Sequence, residues 1–451
     1  MRVAIAFLLV FASTAHADRS YAEQLAREAR DDPDKAVACG QAYLDVYTQD
    51  PAAPDGDELL YNAAACFDEG KSIGAAIQTL DLMRRSTPRS RLLPRAITRL
   101  ANLHARIASY ADAAALYEEY ATKYAGEKDA VQALSEAVYL RAALGDDTKL
   151  VSDVQFFIRT FGAKRPAEAS DAHLKLVPVM ERKGPDAVIT HLREHLRRFK
   201  IEPARAIMVH ARLGVLLWQR ACPIKTIDGL CLKAVRPAAA RTCNPTAGAK
   251  LVPVPRDARL AKEAAAALTA ARTLQERANV QDPATGYFAG QARLALADAE
   301  LESYLAVQFP AGLDFAPEHE GPRKTSQKRF DKYLADKTRL GSKARQSYEA
   351  VLGLKDPASS VAAAARLGQL TQAFATQVVT AEIPRDVRTP PYAAEKTSAF
   401  CDQMVLVGQP LAAQAREAFE VCAAKASELG VLDDFARLCH RERERIDPAM
   451  K

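Results

Sequence analysis

A step of 37 residues relates four stretches of the chain, and this repeat limits the possible folds more than any other feature of the sequence. In each copy one slot holds a small or apolar residue, at Ala76, Ala113, Leu150 and Ala187. Around these slots apolar residues recur at intervals of three and four, which predicts two amphipathic helices in every copy. One helix pair cannot bury its own apolar stripes. Neighbouring pairs are therefore expected to stack into an elongated all-α solenoid.

The first copy carries the fullest version of the repeat. Its apolar, small, aromatic, small and proline positions are, in order, Leu60, Ala64, Phe67, Ala76 and Pro88. In this order of residues the chain resembles the tetratricopeptide repeat family from about residue 57 to residue 200. The resemblance implies a right-handed solenoid of antiparallel helix pairs. Because the family's usual period is about 34 residues, we also expect longer turns between the helices.

The first 17 residues have the pattern of a secretory signal peptide. Arg2 precedes an apolar run over residues 3 to 10, and Ala15, His16 and Ala17 form a small-residue cleavage site. The run is too short to span a bilayer, and no cysteine follows the cut closely enough for a lipid anchor. We expect a soluble mature chain in the periplasm of a Gram-negative bacterium. Its formal charge would be +5, one less than the +6 of the whole chain, which does not indicate a nucleic-acid partner.

The eight cysteines of an exported chain predict disulfide bonds. Two pairs are expected to join helical hairpins, because the members of each lie about equally far from a predicted turn: Cys39 with Cys66, and Cys422 with Cys439. The other four allow more than one pairing: Cys222, Cys231, Cys243 and Cys401.

Residues 222 to 255 interrupt the helical pattern and predict a disulfide-tied loop, with a short hairpin near the Asp228-Gly229 turn. A zinc site built from three cysteines and a histidine is the alternative, although the cysteine spacings of nine and twelve lack a close ligand pair. Farther on, two separate helices are expected at 392–406 and 411–429. The predicted parts are a signal peptide (1–17), N-terminal repeats (18–200), a long-helix region (201–330) and C-terminal repeats (331–451).

Short motifs after residue 221 are similar to those of repeat proteins of the myxobacterial cell envelope, including proteins of the gliding-motility machinery. The motifs are Cys222-Pro223, Gly229-Leu230-Cys231, Pro410-Leu411 and Cys422. This likeness implies a place in an envelope-associated complex.

One stretch has the residues of a catalytic metal site. His191, Glu194 and His195 match the His-x-x-Glu-His signature of inverted zinc peptidases. However, His191 occupies the repeat slot that holds apolar or aromatic residues in other copies, so we expect it to pack against a neighbouring helix. The chain has no Walker loop, nucleophile elbow or dinucleotide fingerprint. We therefore predict no catalytic residue, no metal and no cofactor.

The positive hypothesis is protein binding. The repeat register places nine residues on the concave face of the solenoid: Tyr61, Asp68, Glu69, Arg95, Asn102, Arg106, Gln132, Ser135 and Tyr139. Asn102 and Arg106 fit part of the family's carboxylate clamp, but Tyr61 and Ala65 depart from it, so that ligand is not carried over. We expect a non-catalytic scaffold that binds envelope proteins or extended peptides. The alternatives are a peptidoglycan-acting hydrolase and a soluble periplasmic carrier with a large closed cavity within residues 256–354.

Overall fold

A computed structural model of the chain describes residues 18–29, 32–235, 241–243, 250–278 and 282–446. The predicted signal peptide lies outside these residues. Helices dominate the described chain, and most of them pack against a neighbour in sequence. This confirms the predicted all-α, solenoid-like fold of the helical-repeat type. The contacts divide the chain into two compact units, Met1–Arg182 and Lys183–Lys451. The four-part division by residue range stays a prediction.

The N-terminal unit contains the first three helix pairs of the 37-residue repeat, whereas the second helix of the fourth pair lies in the C-terminal unit. Its described helices are α1 (Arg19–Glu28), α2 (Pro33–Gln49), α3 (Gly56–Glu69), α4 (Ile73–Ser86), α5 (Leu93–Arg106), α6 (Tyr110–Lys123), α7 (Ala130–Leu144), α8 (Asp147–Thr160), α9 (Pro166–Leu174) and α10 (Val177–Lys183). The repeat slots Ala76, Ala113 and Leu150 lie on α4, α6 and α8 and are buried. Small and apolar side chains at this spacing allow α3 to α8 to pack closely in sequence order.

The fourth copy departs from the repeat, because two short helices, α9 and α10, replace one long first helix. The break falls at Lys175 and Leu176, just before Pro178. Proline has no backbone N–H, and its ring clashes with the carbonyl four residues earlier, here that of Leu174. A single continuous helix is therefore unfavourable at this point.

The C-terminal unit is built from longer helices and one small hairpin. Its described elements are α11 (Pro185–Arg198), α12 (Pro203–Arg220), β1 (Leu232–Val235), β2 (Lys250–Pro253), α13 (Ala258–Ala278), α14 (Pro283–Ala306), α15 (Glu320–Leu352), α16 (Pro357–Val379), α17 (Ala393–Glu428) and α18 (Asp434–Arg445). Close packing depends on small residues. A Cβ atom at Gly368 of α16 would lie 2.7 Å from the Phe419 ring of α17.

Helix α17 corrects the prediction of two separate helices, because it runs unbroken from Ala393 to Glu428 with Pro410 inside it. A proline inside a helix costs about 3 kcal/mol. Here Gly408, Ala412 and Phe419 are buried on both sides of the proline, so one apolar face continues through it. Packing of that face against α16 offsets the cost.

The insertion between α12 and α13 contains the predicted turn and a hairpin. Asp228 and Gly229 have φ angles of 49° and 83°, which favour glycine or asparagine and aspartate. The paired strands lie after this turn. In the antiparallel β1–β2 pair, Leu232 is opposite Pro253 and Val235 is opposite Lys250.

Buried charged side chains of α14 and α16 bind the described part of this insertion. Glu302 of α14 accepts hydrogen bonds from the backbone N–H of Cys231 (2.8 Å) and from Nε of Arg256 (2.9 Å). Arg366 of α16 donates from Nη2 to the carbonyl oxygen of Asp228 (2.7 Å) and forms an ion pair with Asp298 through Nε (2.8 Å). These bonds satisfy polar groups that would otherwise be costly to bury. The insertion is thus part of the folded core of its unit.

All eight cysteines form disulfide bonds in the structure: Cys39–Cys66, Cys222–Cys231, Cys243–Cys401 and Cys422–Cys439. No cysteine is left as a free thiol, so the zinc alternative for the insertion has no thiolate to use. Within the described residues, no helix combines the length and apolar content that crossing a bilayer requires.

Candidate partner-binding groove

The first helices of two neighbouring repeats, α3 and α5, form the walls of an open groove in the N-terminal unit. Their apolar stripes face the core through Leu60, Phe67 and Leu100. On α5, residues 95, 99, 102 and 106 are spaced by three or four positions and therefore share one helical face. The groove has a volume of about 490 Å³ and is lined by Tyr61, Asp68, Arg95, Thr98, Arg99, Asn102, Leu103 and Arg106.

Asp68 is the electrostatic centre of the groove. Its Oδ2 accepts hydrogen bonds from Nη2 (3.0 Å) and Nε (3.3 Å) of Arg99, and its Oδ1 accepts one from Arg106. Burial alone raises the pKa of the Asp68 carboxyl, but hydrogen bonds from Arg106 and Arg99 outweigh this effect and lower the pKa overall. Asp68 is therefore ionised near neutral pH and holds both guanidinium groups in place.

Two tyrosine side chains also contact polar groups of the groove. The guanidinium of Arg99 lies 5.9 Å from the centre of the Tyr61 ring, within the range of a cation–π contact. The hydroxyl of Tyr117, on α6, donates to Oδ1 of Asn102 at 2.5 Å. Arg95 is exposed and makes no ion pair within the described chain. Three guanidinium groups thus line a groove that contains one carboxylate, and the groove offers hydrogen-bond donors to carboxylate or carbonyl oxygens.

The structure brings five of the nine predicted residues together and leaves four outside the groove. Glu69 follows Asp68 but points to solvent. Gln132, Ser135 and Tyr139 lie on α7; the Ser135 hydroxyl donates to the Val131 carbonyl at 2.9 Å, and Tyr139 is 59% exposed. Their predicted role in binding stays a prediction.

The sequence prediction missed three lining residues, Thr98, Arg99 and Leu103. Thr98 could have been found, because adding one repeat of 37 residues to Tyr61 reaches it. Arg99 lies three positions before Asn102, so helical spacing also pointed to it. Its ion pair with Asp68 crosses from one repeat to the next, which no single repeat slot shows.

The peptidase-like stretch on α11 is arranged for packing. His191 and His195 are buried, whereas the Glu194 side chain is 49% exposed and faces Arg198 at 3.7 Å. Burial, with the nearby His191 and Arg205, lowers the pKa of His195 to about 4. Among the described residues no cluster of three or more histidine, cysteine or acidic side chains could hold a metal ion.

Comparisons with known proteins add little to this description. No protein-family model and no curated protein matches the chain. One similar solved structure is a circular tandem repeat protein with novel repeat topology and enhanced subunit contact surfaces; it shares 10% identity, covers 95% of this chain and 87% of its own, and has a TM-score of 0.19. A TM-score this low carries no argument. The helical-repeat assignment therefore rests on the consecutive helix packing, and membership of the tetratricopeptide repeat family stays a prediction.

Proposed function

We propose that the protein is a non-catalytic scaffold of the bacterial periplasm that holds a protein partner in the α3–α5 groove. The observation that carries this proposal is the groove itself: an open concave surface between repeats, where ion pairs and a tyrosine hold arginine side chains ready for a ligand. Preorganised side chains lose less conformational entropy on binding, which favours recognition. An extended segment carrying a carboxylate fits the excess of guanidinium groups.

The disulfide bonds support a location outside the cytoplasm, since disulfides persist in oxidising compartments. The signal-peptide pattern of residues 1–17 supports the periplasm in particular. N-terminal sequencing of the protein purified from cells tests this part of the proposal. We expect Asp18 as the first residue, and a chain that retains Met1 in the mature protein would contradict it.

The likeness to myxobacterial envelope repeat proteins supports a role in an envelope-associated complex of the surface or gliding-motility kind. The carrier alternative required a large closed cavity. The pocket beside the β1–β2 hairpin, lined by Leu232, Leu305 and Gln369, has a volume of about 60 Å³, and the larger pocket at Arg256 and Arg259, of about 650 Å³, is open to solvent. Neither of these two pockets is both large and closed, as the carrier alternative requires.

Site-specific crosslinking tests the scaffold proposal. A photoreactive amino acid at Thr98, inside the groove, should capture the same envelope protein in repeated experiments in intact cells. Adding Arg95→Ala should reduce that capture by about tenfold, because one charge-assisted hydrogen bond contributes about 1.5–3 kcal/mol.

Arg159→Ala is the matched control, because Arg159 is an exposed arginine on α8 that does not line the groove. Its capture should equal that of the wild type. Equal capture in the Arg95→Ala and wild-type proteins would show that the groove is not the binding site. Absence of capture from every groove position would contradict the scaffold function.

A further inference from the structure

Helix α15 carries a concentration of positive charge that the groove does not use. Its 33 residues extend over about 50 Å. Eight exposed basic side chains lie on it: Arg323, Lys324, Lys328, Arg329, Lys332, Arg339, Lys343 and Arg345. The same helix has four acidic residues: Glu320, Asp331, Asp336 and Glu349. Since the whole chain has a formal charge of +6, this one helix holds most of the excess.

The basic residues are concentrated on one face. At 3.6 residues per turn, five of them fall within an arc of about 100°: Lys324, Lys328, Lys332, Arg339 and Lys343. We call this set the basic stripe. The opposite face of the helix, with Tyr333, Ala344 and Tyr348, is buried in the core of the unit. The core therefore fixes the orientation of the basic stripe toward solvent.

Carboxylates neutralise the basic stripe only in part. Lys324 contacts Glu320 (2.6 Å), Lys332 and Arg339 share Asp336 (2.8 and 3.1 Å), and Lys343 contacts Glu300 of α14 (3.2 Å). The Lys324 and Lys332 side chains are 72% and 77% exposed, so these pairs are weak and screened by salt. Lys328 has no carboxylate contact within the described residues.

The position and composition of the basic stripe indicate which kind of partner it could bind. It lies along the outside of one helix, and Leu334 is the exposed large apolar residue of α15 that the structure shows, away from the stripe. A protein interface normally has an apolar centre, and single-stranded nucleic acid is normally held by stacking on aromatic rings. The stripe offers neither. A long row of exposed cations along one helix instead complements a flat, multivalent anionic surface.

We propose that the basic stripe of α15 binds the protein peripherally to the surface of a bilayer containing anionic phospholipids. The contact is electrostatic, since the apolar side of α15 is committed to the core. This inference goes beyond the scaffold function and does not depend on it.

Vesicle co-sedimentation of the full chain tests the proposal. The wild-type protein should bind vesicles in which about one-third of the phosphatidylcholine is replaced by phosphatidylglycerol, and should not bind pure phosphatidylcholine. Raising the salt from about 0.05 M to about 0.5 M should release it, because the Debye length falls severalfold. The triple variant Lys324→Gln, Lys328→Gln, Lys332→Gln should partition to the anionic vesicles about a hundredfold more weakly.

The matched control removes the same charge from the exposed lysines of the N-terminal unit, in the variant Lys71→Gln, Lys128→Gln, Lys164→Gln. It should bind nearly as well as the wild type. Absence of wild-type binding to anionic vesicles, wild-type binding by the α15 variant, or equal loss in both variants would overturn the proposal. The salt and lipid comparisons use the wild-type protein, so failure to bind in them overturns the proposal even if a variant fails to fold.

Discussion

Asp153 is a buried acidic residue at the junction of three helices in the N-terminal unit. It lies on α8 close to Glu118 of α6 and Arg141 of α7, and its Oδ2 has no hydrogen-bond partner in the described structure. Arg141 instead donates from Nε to Oε1 of Glu118 at 2.6 Å. Burial, and then the charge of Glu118, raises the pKa of Asp153 to about 7. The carboxyl therefore keeps its proton over a range in which exposed aspartates have lost theirs.

We expect Asp153→Asn to change how stability depends on pH. The unfolded carboxyl ionises near pH 4 and the folded one near pH 7, so the unfolding free energy of the wild type should fall as pH rises through this window. Asparagine does not ionise, so the variant should lose much less. Urea unfolding at pH 5 and pH 8 measures the difference. Asp129→Asn, at an exposed site, is the control and should follow the wild type.

Arg366 is a fully buried cation whose removal should be costly. It is bound to Asp298 and lies 4.9 Å from the centre of the Phe435 ring, and Asp298 also accepts from the Tyr348 hydroxyl at 2.7 Å. Arg366→Met should destabilise the protein by about 3–5 kcal/mol, because it leaves the Asp298 carboxylate buried without its counter-charge.

The double variant Arg366→Met, Asp298→Asn should recover part of this loss, since it removes the unpaired charge. Denaturant midpoints of the wild type and both variants give the comparison. If Asp298→Asn instead destabilised the Arg366→Met protein further, as an independent substitution would, loss of the ion pair would not explain the lower stability of Arg366→Met.

At the residue scale, the sequence could predict which side chains lie outside the apolar stripe of a helix. It could not predict which of these side chains contact one another. Helical spacing alone predicts that Arg95, Asn102 and Arg106 share a face, and the structure places them in one groove. The pairing of Asp68 with Arg99 depends on the distance between α3 and α5, which local periodicity does not determine. For the same reason nothing in the sequence pattern joined Asp298 to Arg366.

At the scale of single elements, α17 provides the sharpest test, because it contains a proline where the sequence predicted a break. We expect Pro410→Ala to raise the melting temperature by a few degrees, since it restores a backbone hydrogen bond at an exposed position and removes a clash. Part of the gain is lost because alanine increases the entropy of the unfolded chain. Differential scanning calorimetry measures the shift.

Gln414→Ala is the control for general alanine effects, because Gln414 is exposed on the same helix one turn later. It should change the melting temperature by much less. A melting temperature for Pro410→Ala at or below that of the wild type would indicate that the helix is interrupted at this residue.

The repeat predicts an element well where the apolar pattern of its own sequence and its packing against neighbouring helices favour the same helix. Helices α3 to α8 follow the 37-residue register because each buries its own small-residue slot against a sequence neighbour. The partner of β1 was harder to predict. Strand β2 begins fifteen residues after β1 ends, and its pairing depends on packing of the insertion against α14 rather than on a tight turn. The continuity of α17 likewise depends on α16.

At the scale of the whole molecule, the four disulfide bonds differ in access to solvent. Cys39, Cys66, Cys222, Cys231, Cys422 and Cys439 are buried, whereas Cys243 and Cys401 are both partly exposed. Thiol–disulfide exchange requires access of a thiolate to sulfur. We therefore expect a dithiol reductant to open Cys243–Cys401 first under native conditions. Alkylation of the new thiols followed by peptide mass spectrometry identifies the order, and earlier labelling of any buried pair would contradict it.

The same bond has a mechanical consequence. Cys243 and Cys401 are 158 residues apart in sequence, so a pulling force applied at the two ends of the chain passes through the sulfur atoms and bypasses everything between them. About 500 Å of contour length is thereby withheld from extension, at about 3.4 Å per residue. Helices α13 to α16 lie inside this covalent ring. They would bear no tension until the bond is reduced, so the chain under load would extend only through the residues outside the ring.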